Sequence, residues 1–137
     1  MMASTDDLAR VPLFAGLSPG DLSHVIKIAK EVRFDPGTPV VEADKSGVGF
    51  HLVLDGAAEA QVGGEVVATF GPGDYFGEMS VLDGKPRSAT VVATSALKTL
   101  SIPAWNFEAL LTKHPSMMRS LLNELSARIR RSESLRS

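Results

Sequence analysis

Phe50 to Phe70 reads FHLVLDGAAEAQVGGEVVATF. Phe50, Leu52 and Leu54 alternate with His51 and Val53, the two-residue period of a strand, until Asp55-Gly56 breaks the run. Ala57 to Val62 and Glu65 to Phe70 then flank Gly63-Gly64. That two-residue loop accepts positive φ at both positions and predicts a β-hairpin. Outward from it, further short strands are predicted at Val32 to Phe34, Pro39 to Val41, Tyr75-Phe76, Ala89 to Ala93 and Leu97 to Ile102. Eight strands of this length without intervening helices favour an antiparallel roll or sandwich over a parallel sheet.

The ends of the chain read differently. Ten of the 12 glycines fall between Gly37 and Gly84, so a turn-dense centre is flanked by turn-poor ends. Ser18-Pro19-Gly20-Asp21 predicts a helix start, with Ser18 as cap, Pro19 in the first turn and an acid beside it. Leu22, Val25, Ile26 and Ala29 follow at helical spacing. Val11 to Leu17, broken by Pro12 and Gly16, predicts a turn that packs Leu13 and Phe14 on the core. Near the C-terminus Ala104, Phe107, Leu110 and Leu111 make one helical face, which His114-Pro115 interrupts. Met118, Leu122, Leu125 and Ile129 then repeat at 4-3-4 spacing, with Leu121 alongside. The expected architecture is mainly β with flanking helices: an antiparallel, eight-stranded, jelly-roll-like β-roll with N-terminal helices and two C-terminal helices.

Length and composition exclude much. The 137 residues suit one domain, 1–137, with its core at about 11–131. At 44% apolar residues the chain can bury a core, and a net charge of −2 gives no global field for nucleic acid. The absence of cysteine removes disulfides, thiolate nucleophiles and iron–sulfur clusters. No apolar run is long enough to span a membrane, and Met1 to Arg10 lacks the pattern of a secretion signal, so a cytoplasmic location is expected. Residues 104–137 carry Lys113, Arg119, Arg128, Arg130, Arg131 and Arg136 against Glu108, Glu124 and Glu133. A run of this kind is read as a solvated face.

Chemistry concentrates in residues 76–91, FGEMSVLDGKPRSATV. Gly77 at the mouth of a short helical turn lets backbone N–H groups approach an anion closely. Arg87 follows beyond a Gly/Pro-containing turn able to fold it back over the same spot. Its planar guanidinium suits phosphate oxygens, and Ser88 adds a hydroxyl. Glu78 would repel a bare phosphate. It fits an anion that also carries a hydroxyl, for which a carboxylate is a strong acceptor. A phosphate beside a sugar hydroxyl is a nucleotide. Amides plus one arginine suit a compact, singly charged diester.

This segment resembles the phosphate-binding cassette of the cyclic nucleotide-binding domain family. The matching residues are Phe76-Gly77-Glu78-Met79-Ser80 and Pro86-Arg87-Ser88-Ala89-Thr90-Val91. Leu13 to Ser18, Asp35-Pro36-Gly37, Asp55-Gly56 and Gly71-Pro72-Gly73-Asp74 resemble further parts of that domain. The resemblance implies a 3′,5′-cyclic nucleotide as ligand, cyclic AMP favoured over cyclic GMP, and no cofactor. It implies that Glu78 accepts from the ribose 2′-hydroxyl and that Arg87 pairs with the cyclic phosphate. Gly77, Met79, Ser80, Ser88 and Ala89 would surround the phosphate, and Val67 and Ala60 would face the purine. The last helix would close over the base through Ile129, Arg128 or Ser132. Met79 stands where leucine is usual, a volume-conserving exchange.

The implied activity is that of a stand-alone regulatory sensor whose C-terminal helix moves with the ligand, and not of an enzyme. With the chain ending at Ser137, no helix-turn-helix DNA reader is expected, and either output passes to an effector protein of unknown identity or the chain is a fragment of something larger. The apolar stripe of the last helix is read either as docking on its own core or as a homodimer contact. The rival expectation is a roll that has lost its ligand and serves as an interaction module. A metal enzyme of similar architecture is disfavoured, because His24, His51 and His114 lack metal-motif spacing. His51 is expected as a partly buried polar group on its strand. Ser80 and Ser88 have no suitable base nearby.

Overall fold

Two serines start the first two helices. The Ser4 hydroxyl accepts from the Asp7 N–H at 3.2 Å, and the Asp7 carboxylate accepts from the Ser4 N–H at 3.0 Å. These reciprocal bonds, the backbone one foremost, hold the Asp7 carboxyl below its ordinary pKa. They open α1 (Thr5–Ala9), which buries Leu8 and which the sequence pattern did not announce. Ser18 caps α2 (Pro19–Ile28) by accepting from the Asp21 N–H at 3.2 Å, as expected. Between them Leu13 and Phe14 are buried.

The computed structural model describes residues 4–41, 49–78 and 89–136, with side chains through Arg131. Among the described residues eight strands follow α2: β1 (Lys30–Phe34), β2 (Pro39–Val41), β3 (Gly49–Asp55), β4 (Ala58–Val62), β5 (Glu65–Phe70), β6 (Tyr75–Phe76), β7 (Thr90–Ala93) and β8 (Leu97–Pro103). Two helices close the chain, α3 (Ala104–Lys113) and α4 (Pro115–Arg136). The strands form two four-stranded sheets in the orders β1-β8-β3-β6 and β2-β7-β4-β5, and every pairing is antiparallel. This is the expected roll. Gly63 and Gly64 have φ of 60° and 84°, the left-handed values that the hairpin loop requires.

The core lies in two layers. One layer packs α1 to α4 on a face of the first sheet, around Phe14, Phe50, Leu52, Phe107, Met117 and Leu121. Phe50 stacks on Phe107 with centroids 4.4 Å apart and meets Phe14 edge-on. The other layer lies between the sheets and joins Val41, Val53, Ala58, Ala60, Phe76, Val91 and Leu97. β3 separates the layers, so Gly49 to Val53 are all buried and not alternately exposed. The reason is that both faces of this strand are covered, one by helices and one by the second sheet. His51 is correspondingly more buried than expected, with its Nδ1 3.0 Å from Thr99 Oγ1 and its ring stacked on Phe76.

The last helix departs from the expected stripe. α4 docks through Met117 and Leu121, both fully buried, with Met118 and Leu125 partly buried. Leu122 and Ile129 are 58% and 59% exposed. The inward face runs one residue ahead of the apolar stripe, because its next positions are Glu124 and Arg128, which face a polar cleft.

Candidate ligand-binding site

Gly71-Pro72-Gly73-Asp74 makes the turn that delivers β6. Asp74 N–H donates to the Gly71 carbonyl at 3.0 Å, the Asp74 carboxylate accepts from the Gly71 N–H at 2.9 Å, and Gly73 has φ 92°. β6 pairs with β3, so its two side chains face opposite layers: Tyr75 reaches Phe50, and Phe76 reaches His51 and Phe70. Gly77 follows with φ 94°, a left-handed conformation that suits glycine, and the chain arrives at Glu78.

Glu78 is only 3% exposed. Its Oε1 accepts from Arg128 Nη1 of α4 at 2.7 Å, across fifty residues of sequence. Arg128 Nε also donates to Glu124 Oε1 at 3.3 Å, and Arg131 Nη2 lies 3.9 Å from that oxygen. Burial alone would lower the proton affinity of the Arg128 guanidinium. The hydrogen bond it donates to Glu78, then the charges of Glu78 and Glu124, outweigh it and raise the pKa above its ordinary value. Tyr75 belongs to the same cluster. Burial first, then Glu78 and Glu124, push its phenol up to about 12, against the lowering effect of Arg128.

A cavity of about 760 Å³ opens between β5 and α4. Val67, Ala68, Thr69, Phe70 and Tyr75 form one wall, and Asn123, Glu124, Arg128 and Arg131 the other. Val67 therefore stands on the wall, 59% exposed. Ala60 does not line it. It is buried between the sheets, while its cross-strand partner Ala68 reaches the cavity. Ile129 also lies off the wall, because at its helical position the inward neighbours are Arg128 and Arg131. Ala89 precedes β7 and packs on the inter-sheet layer. Met79, Ser80, Arg87 and Ser88 lie outside the described residues, as does the Ser132 side chain.

Tyr75, Ala68, Thr69, Glu124 and Arg131 were not picked out from the sequence as site residues. The i, i+4 spacing of Glu124 and Arg128 was the available signal for the helix side of the cluster. His24 lies in α2, His51 in β3, and His114 at the junction of α3 and α4. Among the described residues no three His, Asp or Glu side chains gather as a metal site would need.

Residues 31–114 match the profile of the family described as cyclic nucleotide-binding domain. The chain belongs to that family. A cAMP-dependent protein kinase regulatory subunit of Colletotrichum orbiculare is 33% identical over 116 residues, 83% of this chain and 30% of its own length. A cyclic nucleotide-gated potassium channel of Mesorhizobium japonicum is 30% identical over 110 residues, 80% of this chain and 30% of its own. The chain thus spans about a third of these curated relatives. Among solved structures, the Thermus thermophilus catabolite activator protein superposes with a TM-score of 0.79 at 30% identity, over 89% of this chain and 60% of that one. As a cyclic nucleotide-binding domain, the chain has the mainly antiparallel roll with flanking helices seen there. No described helix is long and apolar enough to cross a membrane.

Proposed function

We propose that this domain binds a 3′,5′-cyclic nucleotide, cyclic AMP in preference to cyclic GMP, and signals through the pose of α4. The observation that carries this reading is the buried Glu78 carboxylate, held by a guanidinium from the helix that roofs the cavity. Glu78 accepts from the sugar hydroxyl and Arg87 neutralises the cyclic phosphate. Gly77, Met79, Ser80, Ser88 and Ala89 surround that phosphate, and Val67 faces the base. The placements of Ala68 and Arg128 support those residues as wall contacts in place of Ala60 and Ile129.

The same contact couples ligand to helix. Arg128 and an incoming hydroxyl compete for, or share, one carboxylate, so the ligand has different contacts with α4 docked and undocked. Such a difference is what a population shift requires. The domain acts as a cytoplasmic regulator and not as an enzyme, with its output passing to an effector protein. The exposed Leu122 and Ile129 would pair with a second copy. Sedimentation showing a monomer at high concentration would remove the dimer.

A second reading rests on a specific observation. Glu78 is already satisfied by Arg128, as it would be in a roll that has lost its ligand and become an interaction module. A thermal-shift panel separates the two. Cyclic AMP, cyclic GMP, their 5′-monophosphates and ATP are added at millimolar concentration, because a ligand well above its Kd must stabilise the native state. We expect the melting temperature to rise with the cyclic nucleotides, most with cyclic AMP. An unmoved melting temperature throughout would favour the module.

A further inference from the structure

Tyr75 is placed to do more than fill the core. Its ring is set against Phe50, with centroids 5.3 Å apart, in the layer beneath the helices. It also stands on the cavity wall, opposite Glu124 and Arg128 and three residues before Glu78. The phenol is near enough to both carboxylates and to the guanidinium for all three charges to act on it. Its neighbour Phe76 turns the other way into the inter-sheet layer, so only Tyr75 of this strand serves the cavity.

We propose that Tyr75 is a second reader of the ligand's sugar edge, its hydroxyl donating to the same sugar oxygen whose proton Glu78 accepts. This rests on the cyclic nucleotide reading above. A sugar hydroxyl is one donor and two acceptors. Glu78 takes the proton and leaves the lone pairs open to a donor. Arg128, the cation paired with this acid, is already committed to Glu78 and Glu124. The phenol supplies a donor that brings no further charge to a crowded cluster, and with its pKa pushed up to about 12 it keeps its proton at neutral pH.

Calorimetry tests this with the tighter-binding of cyclic AMP and cyclic GMP and with its 2′-deoxy analogue. Tyr75→Phe keeps the ring and its packing and removes only the hydroxyl. The variant is expected to bind the parent nucleotide roughly three- to tenfold more weakly, the range for one lost hydrogen bond. It should bind the 2′-deoxy analogue as the unaltered protein does. An equal loss for both nucleotides would overturn the proposal, since Tyr75 would then act only by positioning its neighbours. No loss for either would also overturn it. An unaltered protein that binds neither parent nucleotide would overturn the underlying function as well, an outcome distinct from failure of Tyr75 alone.

Discussion

A single buried acid organises the site. Glu78 is 3% exposed, whereas the Arg128 side chain that holds it is 37% exposed. Breaking a buried pair leaves an uncompensated charge, and solvent reaching the guanidinium side tempers that penalty. Arg128→Ala is therefore expected to destabilise the ligand-free protein by about 1–3 kcal/mol, below the full cost of breaking a buried pair. Urea denaturation measures this, and an unchanged midpoint would show that Glu78 does not depend on Arg128. Tyr75 gives a pH dependence of definite sign. Its phenol titrates at about 12 in the folded protein against 10.0 when free, so across that window the native state binds more protons than the unfolded one. The stabilisation is complete below pH 10 and is lost as pH rises towards 12. Tyr75→Phe should flatten the fall in melting temperature over that range, and an identical alkaline decline in both proteins would contradict the assignment.

Turns and helix ends were the legible elements. Gly63-Gly64 was readable because few residues other than glycine accept φ of 60° and 84° in succession, and Ser18-Pro19 because capping chemistry is local. The orientation of α4 was not legible, because inward positions 124 and 128 are charged and charged residues read as surface. Similar limits applied to β3, whose alternation concealed burial on both faces. Glycines that look alike in sequence also differ in role. Gly37 and Gly56 share φ 86°, yet a Cβ at Gly56 would run into the Ala96 carbonyl, while a Cβ at Gly37 meets nothing within 4 Å. Gly37→Ala should cost about 1–2 kcal/mol from backbone strain alone. Gly56→Ala should cost a further ~1–3 kcal/mol through overpacking. Equal losses in chemical denaturation would refute the distinction between these two turns.

At the scale of the whole molecule, the domain is a two-layer core with a cavity at the edge where β5 faces α4. α4 is fixed at its start by Met117 and Leu121 in the core and by a Ser120 hydroxyl donating to the Pro12 carbonyl. Farther along, its hold on the roll passes through Arg128 to Glu78. The cluster proposed to meet the ligand is therefore also the place where the helix is gripped. The family match was readable because the residues of the cassette pattern are contiguous in sequence. The Glu78–Arg128 pair was not, since no local pattern links residues fifty positions apart. The most direct test is a calorimetric titration with cyclic AMP of the unaltered protein and of Arg87→Ala. The account predicts one-site binding, weakened in the variant by roughly two to three and a half decades in Kd, the loss from stripping one partner of a buried charge pair. The same affinity in both proteins, or no binding by the unaltered protein at millimolar nucleotide, would contradict it.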